Sequence, residues 1–239
     1  MLRSTLATLL ALAPCAGLAE DAPCRQALAL GLDVSGSVDH AEYRLQLDGL
    51  AAALTHPDVS AALLAAAGAP VRIAIYEWSG PNAQAVIVDW TEIADAATLA
   101  DLAARIGTHR RSPADPATAL GTALVVGARM LAEQPGCWKR TLDISGDGVS
   151  NTGPRPQDLG DVSELSDVTV NALVIGPEAL NPPPGATGLL GYFEAFVIRG
   201  PGAFVEHAED FDAYEAAMVR KLLKELQGMV VSASERTSL

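Results

Sequence analysis

Residues 27–40 read ALALGLDVSGSVDH. A run of small apolar residues ends at once in an acid and two serines spaced by two, Asp33, Ser35 and Ser37. The short continuous apolar run, closed by Asp and Gly, is the pattern of a strand buried on both faces. Such a strand belongs inside a parallel sheet covered by helices. Three oxygen-bearing side chains at its carboxyl end therefore sit where sheets of this kind bind ligands.

Working outward, Asp39 with Glu42 three residues on predicts a capping box. Tyr43, Leu47, Leu50 and Leu54 then fall on one helical face, carrying a helix to about Thr55. Residues 71–78 (VRIAIYEW) and 83–90 (AQAVIVDW) read as two strands joined by the turn residues SGPN, an antiparallel hairpin at a sheet edge. Helices are predicted over ADAATLADLAARI and TALGTALVVGARMLAE, with the loop GTHRRSPADPA between them. KRTLDIS is a fourth strand, ended by GDGVSNTGPRP, and VTVNALVI a fifth. A short helix (LLGYFEAFVI), a last strand (GPGAFVE) and a helix from DFDAYEAAMVRKLLKEL complete the pattern, the helix with acids early and lysines late, as its dipole favours.

Strands alternating with helices predict an α/β fold, a doubly wound, mostly parallel six-stranded sheet with one antiparallel edge strand. In such sheets the binding crevice lies outside the strand ends where the strand order reverses. If strands one and four are neighbours there, Asp33, Ser35 and Ser37 converge with Asp147, which follows strand four, and with Thr118, which opens a helix. This set has carboxylates and hydroxyls but neither sulfur nor imidazole. Hard oxygen ligands suit Mg2+ first, with Mn2+ or Ca2+ as alternatives.

Length and composition limit the function classes. The chain has 239 residues, enough for one α/β domain. Residues 1–19 read as a secretory signal peptide, with Arg3, an apolar stretch and a small-residue cleavage point after Ala19. Residues 20–230 are then the mature domain and 231–239 a disordered tail. Nothing after the signal supplies the roughly 20 apolar residues of a membrane span. The formal net charge is −13, which disfavours nucleic acid and anionic lipid but suits divalent cations. The expected location is periplasmic or secreted.

Of three cysteines, Cys15 leaves with the signal, so Cys24 and Cys137 are expected to pair. Each precedes a strand, which puts the bond at the amino edge of the sheet, away from the oxygen cluster. Two cysteines and four scattered histidines, His40, His56, His109 and His207, do not make a tetrahedral zinc site.

DVSGSV resembles the D-x-S-x-S element of von Willebrand factor A domains. Their metal-ion-dependent adhesion site also draws a Thr from a second loop and an Asp after a later strand, as Thr118 in PATALGTAL and Asp147 in DISGDG stand here. The likeness extends through YRLQLDGLAAAL, EWSGP, RTLDISGDGVSN and GPGAF to a family of exported bacterial proteins with an A-like domain and no assigned function. The resemblance implies that Asp33, Ser35, Ser37, Thr118 and Asp147 hold a divalent cation, and that a protein or peptide partner fills its open position with an Asp or Glu carboxylate. Pro116 and Ala117 stand before Thr118 where the family has small glycines. Thr118 thus either touches the cation or stands behind the groups that do.

Simpler roles compete. Asp and Ser also cap helices and make turns. Asp143, inside strand four, reads as a buried hydrogen-bonding group, Trp78 and Trp90 as packing, and Arg110 and Arg111 as a solvated loop. No Gly-x-Ser-x-Gly elbow or phosphate loop occurs, and no histidine or further carboxylate is placed as a general base. A non-catalytic, metal-dependent binding module is the expectation. The alternatives are a metal-assisted hydrolase and a structural envelope component with an empty site.

Overall fold

The computed structural model describes residues 23–160, 162–176 and 188–236, with side chains as far as residue 226. The signal peptide and its cleavage point lie outside the described residues. Among them, no helix is long and apolar enough to cross a membrane.

Six strands form one sheet in the order β3-β2-β1-β4-β5-β6. They are β1 (Gln26–Asp33), β2 (Val71–Trp78), β3 (Gln84–Ile93), β4 (Arg140–Gly146), β5 (Thr169–Ile175) and β6 (Val205–Ala208). β1 pairs in parallel with both β2 and β4, and only β3 runs antiparallel, at the edge beside β2. The helices are α1 (His40–Thr55), α2 (Pro57–Leu64), α3 (Ala96–Thr108), α4 (Leu120–Ala132), α5 (Gly188–Tyr192) and α6 (Tyr214–Arg236). The expected fold class is the observed one.

The alternation along β1 explains the two-sided core. Leu28, Leu30 and Leu32 join one apolar cluster with α1, α2, α3 and α6, while Ala27 and Ala29 join the other with α4 and Phe193. Every residue of β1 is buried. The sequence capping box is real: the Asp39 side chain accepts from Ala41 N and Glu42 N, and Glu42 accepts from Asp39 N. A cap of this kind contributes about 1 kcal/mol and fixes where the chain turns from β1 into α1.

Three differences from the sequence reading have local causes. α2 is an extra helix, started by Pro57 at its first position, with the His56 side chain accepting from Asp58 N. The last strand begins at Val205 rather than Gly200, because Gly200 (φ +88°) and Gly202 (φ +70°) take left-handed conformations that turn the chain first. α6 runs to Arg236, into the stretch read as a tail.

At the amino end of the sheet, Cys24 and Cys137 form the expected disulfide, S–S 2.01 Å, across a parallel bridge. Trp138 N donates to Cys24 O over 2.9 Å in the same place.

Candidate functional site

The chain leaves β1 for β2 on one side and returns to β4 on the other, so the strand order reverses between β1 and β4. Asp33 is the last residue of β1, and Asp147 directly follows β4. Parallel pairing in register from Ala27 with Arg140 to Gly31 with Ile144 sets these two turns side by side.

Asp33 is only 1 % exposed and Ser35 is fully buried, whereas Ser37 is exposed and Asp147 half-buried. The Asp33 Oδ1 accepts from Ser35 N at 2.8 Å, folding the chain into a tight turn. The Ser35 and Ser37 hydroxyls lie 3.2 Å apart, and the Ser37 hydroxyl donates to Asp147 Oδ1 at 2.7 Å. A graded polar chain thus runs from the buried end of β1 out to solvent.

The second loop, 107–119, is bonded directly to the first. Gly36 N donates to Pro116 O at 3.1 Å. The Arg111 guanidinium donates to the carbonyls of Val34, Ser35 and Val38. Arg111 is therefore a structural clamp on the Asp33 turn rather than the solvated loop residue of the sequence reading. Thr118 is 6 % exposed and is held by its backbone: its N donates to Asn151 Oδ1, and its carbonyl accepts from Asn151 N and the Ser150 hydroxyl. Among the described residues no hydrogen bond joins the Thr118 hydroxyl to Asp33, Ser35, Ser37 or Asp147. Thr118 precedes α4 by two residues instead of opening it.

Asn151 and Ser150 were missed by the sequence reading, although SNT after GDG was a visible run of polar turn residues. Their loop packs against the start of α4 at Gly121, where a Cβ would come within 2.0 Å of Pro154 O. Only glycine permits that approach.

Electrostatics follow from burial. Burial first, and the Asp147 charge second, push the Asp33 carboxyl up to about 7, against the opposing Ser35 hydrogen bonds and Arg111 charge. Its Oδ2 is buried with no hydrogen-bond partner. A buried carboxylate oxygen left without a donor is costly unless a proton or a cation completes it. Among the described residues no three His, Cys, Asp or Glu side chains gather as metal ligands. The oxygen donors on hand are two carboxylates and the serine hydroxyls beside them, a set matched to a hard cation that keeps other positions for water or a partner.

A second polar group, also missed, lies at the end of β2. Glu77, 1 % exposed, accepts from the Tyr43 hydroxyl and from Ser112 N at 2.9 Å, and His109 Nε2 stands 3.4 Å from it. It ties α1 to the second loop from beneath. Alternation within VRIAIYEW gave no sign that its one acid points inward. Trp78 is buried packing, as expected, and Trp90 is packed against the core.

A family model described as "Protein of unknown function (DUF1194)" matches residues 23–230. No curated protein matches the chain. Among solved structures, proximal thread matrix protein 1 from the mussel byssus, with a zinc-occupied MIDAS motif, is 17% identical, with a TM-score of 0.56, over 85% of this chain and 46% of that one. The pilus adhesin SpaC from Lactobacillus rhamnosus GG, in an open conformation, is 16% identical, with a TM-score of 0.58, over 87% of this chain and 31% of that one. A von Willebrand factor type A protein from Catenulispora acidiphila is 14% identical, with a TM-score of 0.56, over 85% of this chain and 42% of that one. The chain thus spans less than half the length of these proteins. At such identities the likeness establishes the fold, which is that of von Willebrand factor A domains.

Proposed function

The chain belongs to this family of proteins of unknown function, DUF1194, and from its von Willebrand factor A-like site we propose that it is a non-catalytic, cation-dependent binding module of the cell exterior or periplasm. The observation that carries the reading is the buried Asp33 Oδ2, which has no partner, on a carboxylate linked through Ser35 and Ser37 to Asp147. Asp33, Ser35, Ser37 and Asp147, with Thr118 beside them, would hold a divalent cation, Mg2+ by preference and Mn2+ or Ca2+ as alternatives. When bound, the cation would supply the positive charge that receives an Asp or Glu carboxylate from a protein or peptide partner.

The chain's own residues have distinct parts in this. Asp33 brings the negative charge that a cation offsets, Ser35 N and Arg111 hold the turn that presents it, and Ser37 and Asp147 form the solvent-facing rim. The Cys24–Cys137 disulfide supports an oxidising compartment. Adhesins occur among proteins of this fold, the Lactobacillus rhamnosus pilus adhesin being one.

The test is retention of envelope proteins on the immobilised chain in Mg2+, followed by chelation. Retention should be released by chelator and absent for Asp33→Ala, with no turnover of simple esters or phosphoesters. Retention indifferent to both changes would contradict the proposal, and turnover would favour the hydrolase.

A further inference from the structure

A cavity of about 930 Å3 opens beside the oxygen cluster, between the turn after β1, the start of α1 and residues 107–116. That size accommodates a short peptide stretch or a small ligand. Ser35 belongs both to its lining and to the cluster, so the two are continuous.

Its charge is opposite to that of the molecule. The chain carries 29 Asp and Glu against 16 Lys and Arg. Yet this lining holds Arg44, Arg110 and Arg111, and its only carboxylate is Asp115, with Glu77 beneath it beside His109 and Ser112. Arg44 is neutralised by an ion pair with Asp48. Arg111 hydrogen-bonds only to backbone carbonyls and lies over the Tyr43 ring; it makes no ion pair among the described residues, although its charge also acts on Asp33. Arg110 is exposed and makes no hydrogen bond or ion pair among the described residues. Asp115 is partly committed, one oxygen accepting from Ala117 N at 2.8 Å. A cleft with an excess of one sign of charge attracts ligands of the other sign.

We propose that this cavity receives a second acidic side chain from the same partner, so that the recognised segment is a peptide with at least two acids. One acid goes to the oxygen cluster, which rests on the cation reading above, and the other lies against Arg110 and Arg111. The net negative charge of the chain then disfavours single acids that lack this second foothold.

The test compares hexaglutamate with a hexapeptide of five glutamines and one glutamate, by calorimetry in Mg2+ and again in chelator. Wild type should bind hexaglutamate about thirtyfold more tightly, a roughly sixfold statistical factor for six acids against one multiplied by about fivefold, the scale of one partly exposed charge pair. Arg110→Glu should cut that advantage back to its statistical share while leaving Mg2+ affinity and single-glutamate binding unchanged. Arg129→Glu, a charge reversal on α4 outside the cavity, should leave the advantage intact. A wild-type advantage no larger than that statistical factor overturns the proposal, as does an equal loss in Arg129→Glu. In chelator both peptides should bind more weakly, with the residual preference for hexaglutamate still depending on Arg110. If that preference persists while single-glutamate binding never depends on Mg2+, the cation reading fails and the cavity assignment stands.

Discussion

The Ser37 hydroxyl donates to the Asp147 carboxylate across 2.7 Å, joining the turn after β1 to the turn after β4 although the residues are 110 apart in sequence. Parallel pairing brings the strand ends together, and this bond fixes the last few ångströms. It also makes Ser37 a group with two uses, a brace between the turns and a candidate ligand.

Ser37→Ala should therefore lower Mg2+ affinity about tenfold, in line with the 1.5–3 kcal/mol of a hydrogen bond to a charged group. Ser37 is exposed, so the melting temperature should fall by only a few degrees. Calorimetric titration beside thermal unfolding separates the two effects. An unchanged cation affinity would remove Ser37 from the site.

The burial of Asp33 sets a pH dependence. Its carboxyl is held at about 7 in the fold, against about 3.9 in an unfolded chain. Between these values the folded state keeps a proton that the unfolded state has lost. The metal-free protein therefore loses this part of its stability as pH rises through about 7. Asp143, raised by burial and by Glu225 against the opposing Lys221 charge, contributes a slope of the same sign. Asp33→Asn should flatten the Asp33 share alone and stabilise the metal-free protein at pH 8. Because proton and cation compete for Asp33, wild-type Mg2+ affinity should climb with pH up to about 7 and level off above it. Affinity that is flat from about pH 5 to 8 would contradict this.

The Cys24–Cys137 bond spans 113 residues. In the chain-entropy account, a loop of that length contributes about 4–5 kcal/mol. Cys24→Ser should lower the unfolding free energy by an amount of that order. The bond lies at the opposite end of the sheet from Asp33, so the folded variant should bind Mg2+ as wild type does. Denaturant unfolding and calorimetry check the two halves.

Lys221 on α6 is fully buried between Asp143 of β4 and Glu225, and Asn171 donates to Glu225. Burial alone would pull its ammonium down, but the two carboxylates hold it above its ordinary value. Lys221→Met leaves both acids facing one another in the core and should cost about 3–5 kcal/mol. Adding Asp143→Asn and Glu225→Gln should restore much of it. A triple variant no better than the single one would place the loss in packing instead of charge.

The strands and their arrangement were legible because short continuous apolar runs such as ALALGLDV, ended by Asp and Gly, fit strands buried between two layers, and SGPN is turn chemistry. DVSGSV and DISGDG were legible because they interrupt those runs at strand ends. What was hidden depends on distant partners. KLLKEL reads only as the lysine-bearing end of a helix, and the approach of Asp143 from another element makes Lys221 a core residue. Arg111 looked like a loop charge because its acceptors are backbone carbonyls, which leave no trace in side-chain identity. Glu77 was hidden for a similar reason, since Tyr43 lies 34 residues away and comes from a different element. The role of Thr118 depended on Asn151, 33 residues on, which holds its backbone from across the crevice.

The central claim is that Asp33, with its unpartnered buried oxygen, gathers the neighbouring hydroxyls and Asp147 around a divalent cation. It is tested most directly by titrating Mg2+ and Mn2+ into the purified, chelator-stripped protein and into Asp33→Ala, by calorimetry at pH 8. The account predicts one saturable site per chain in wild type and none in the variant, with both proteins giving the same folded spectrum. Equal binding by the two proteins, or no binding by a folded wild type, would contradict it.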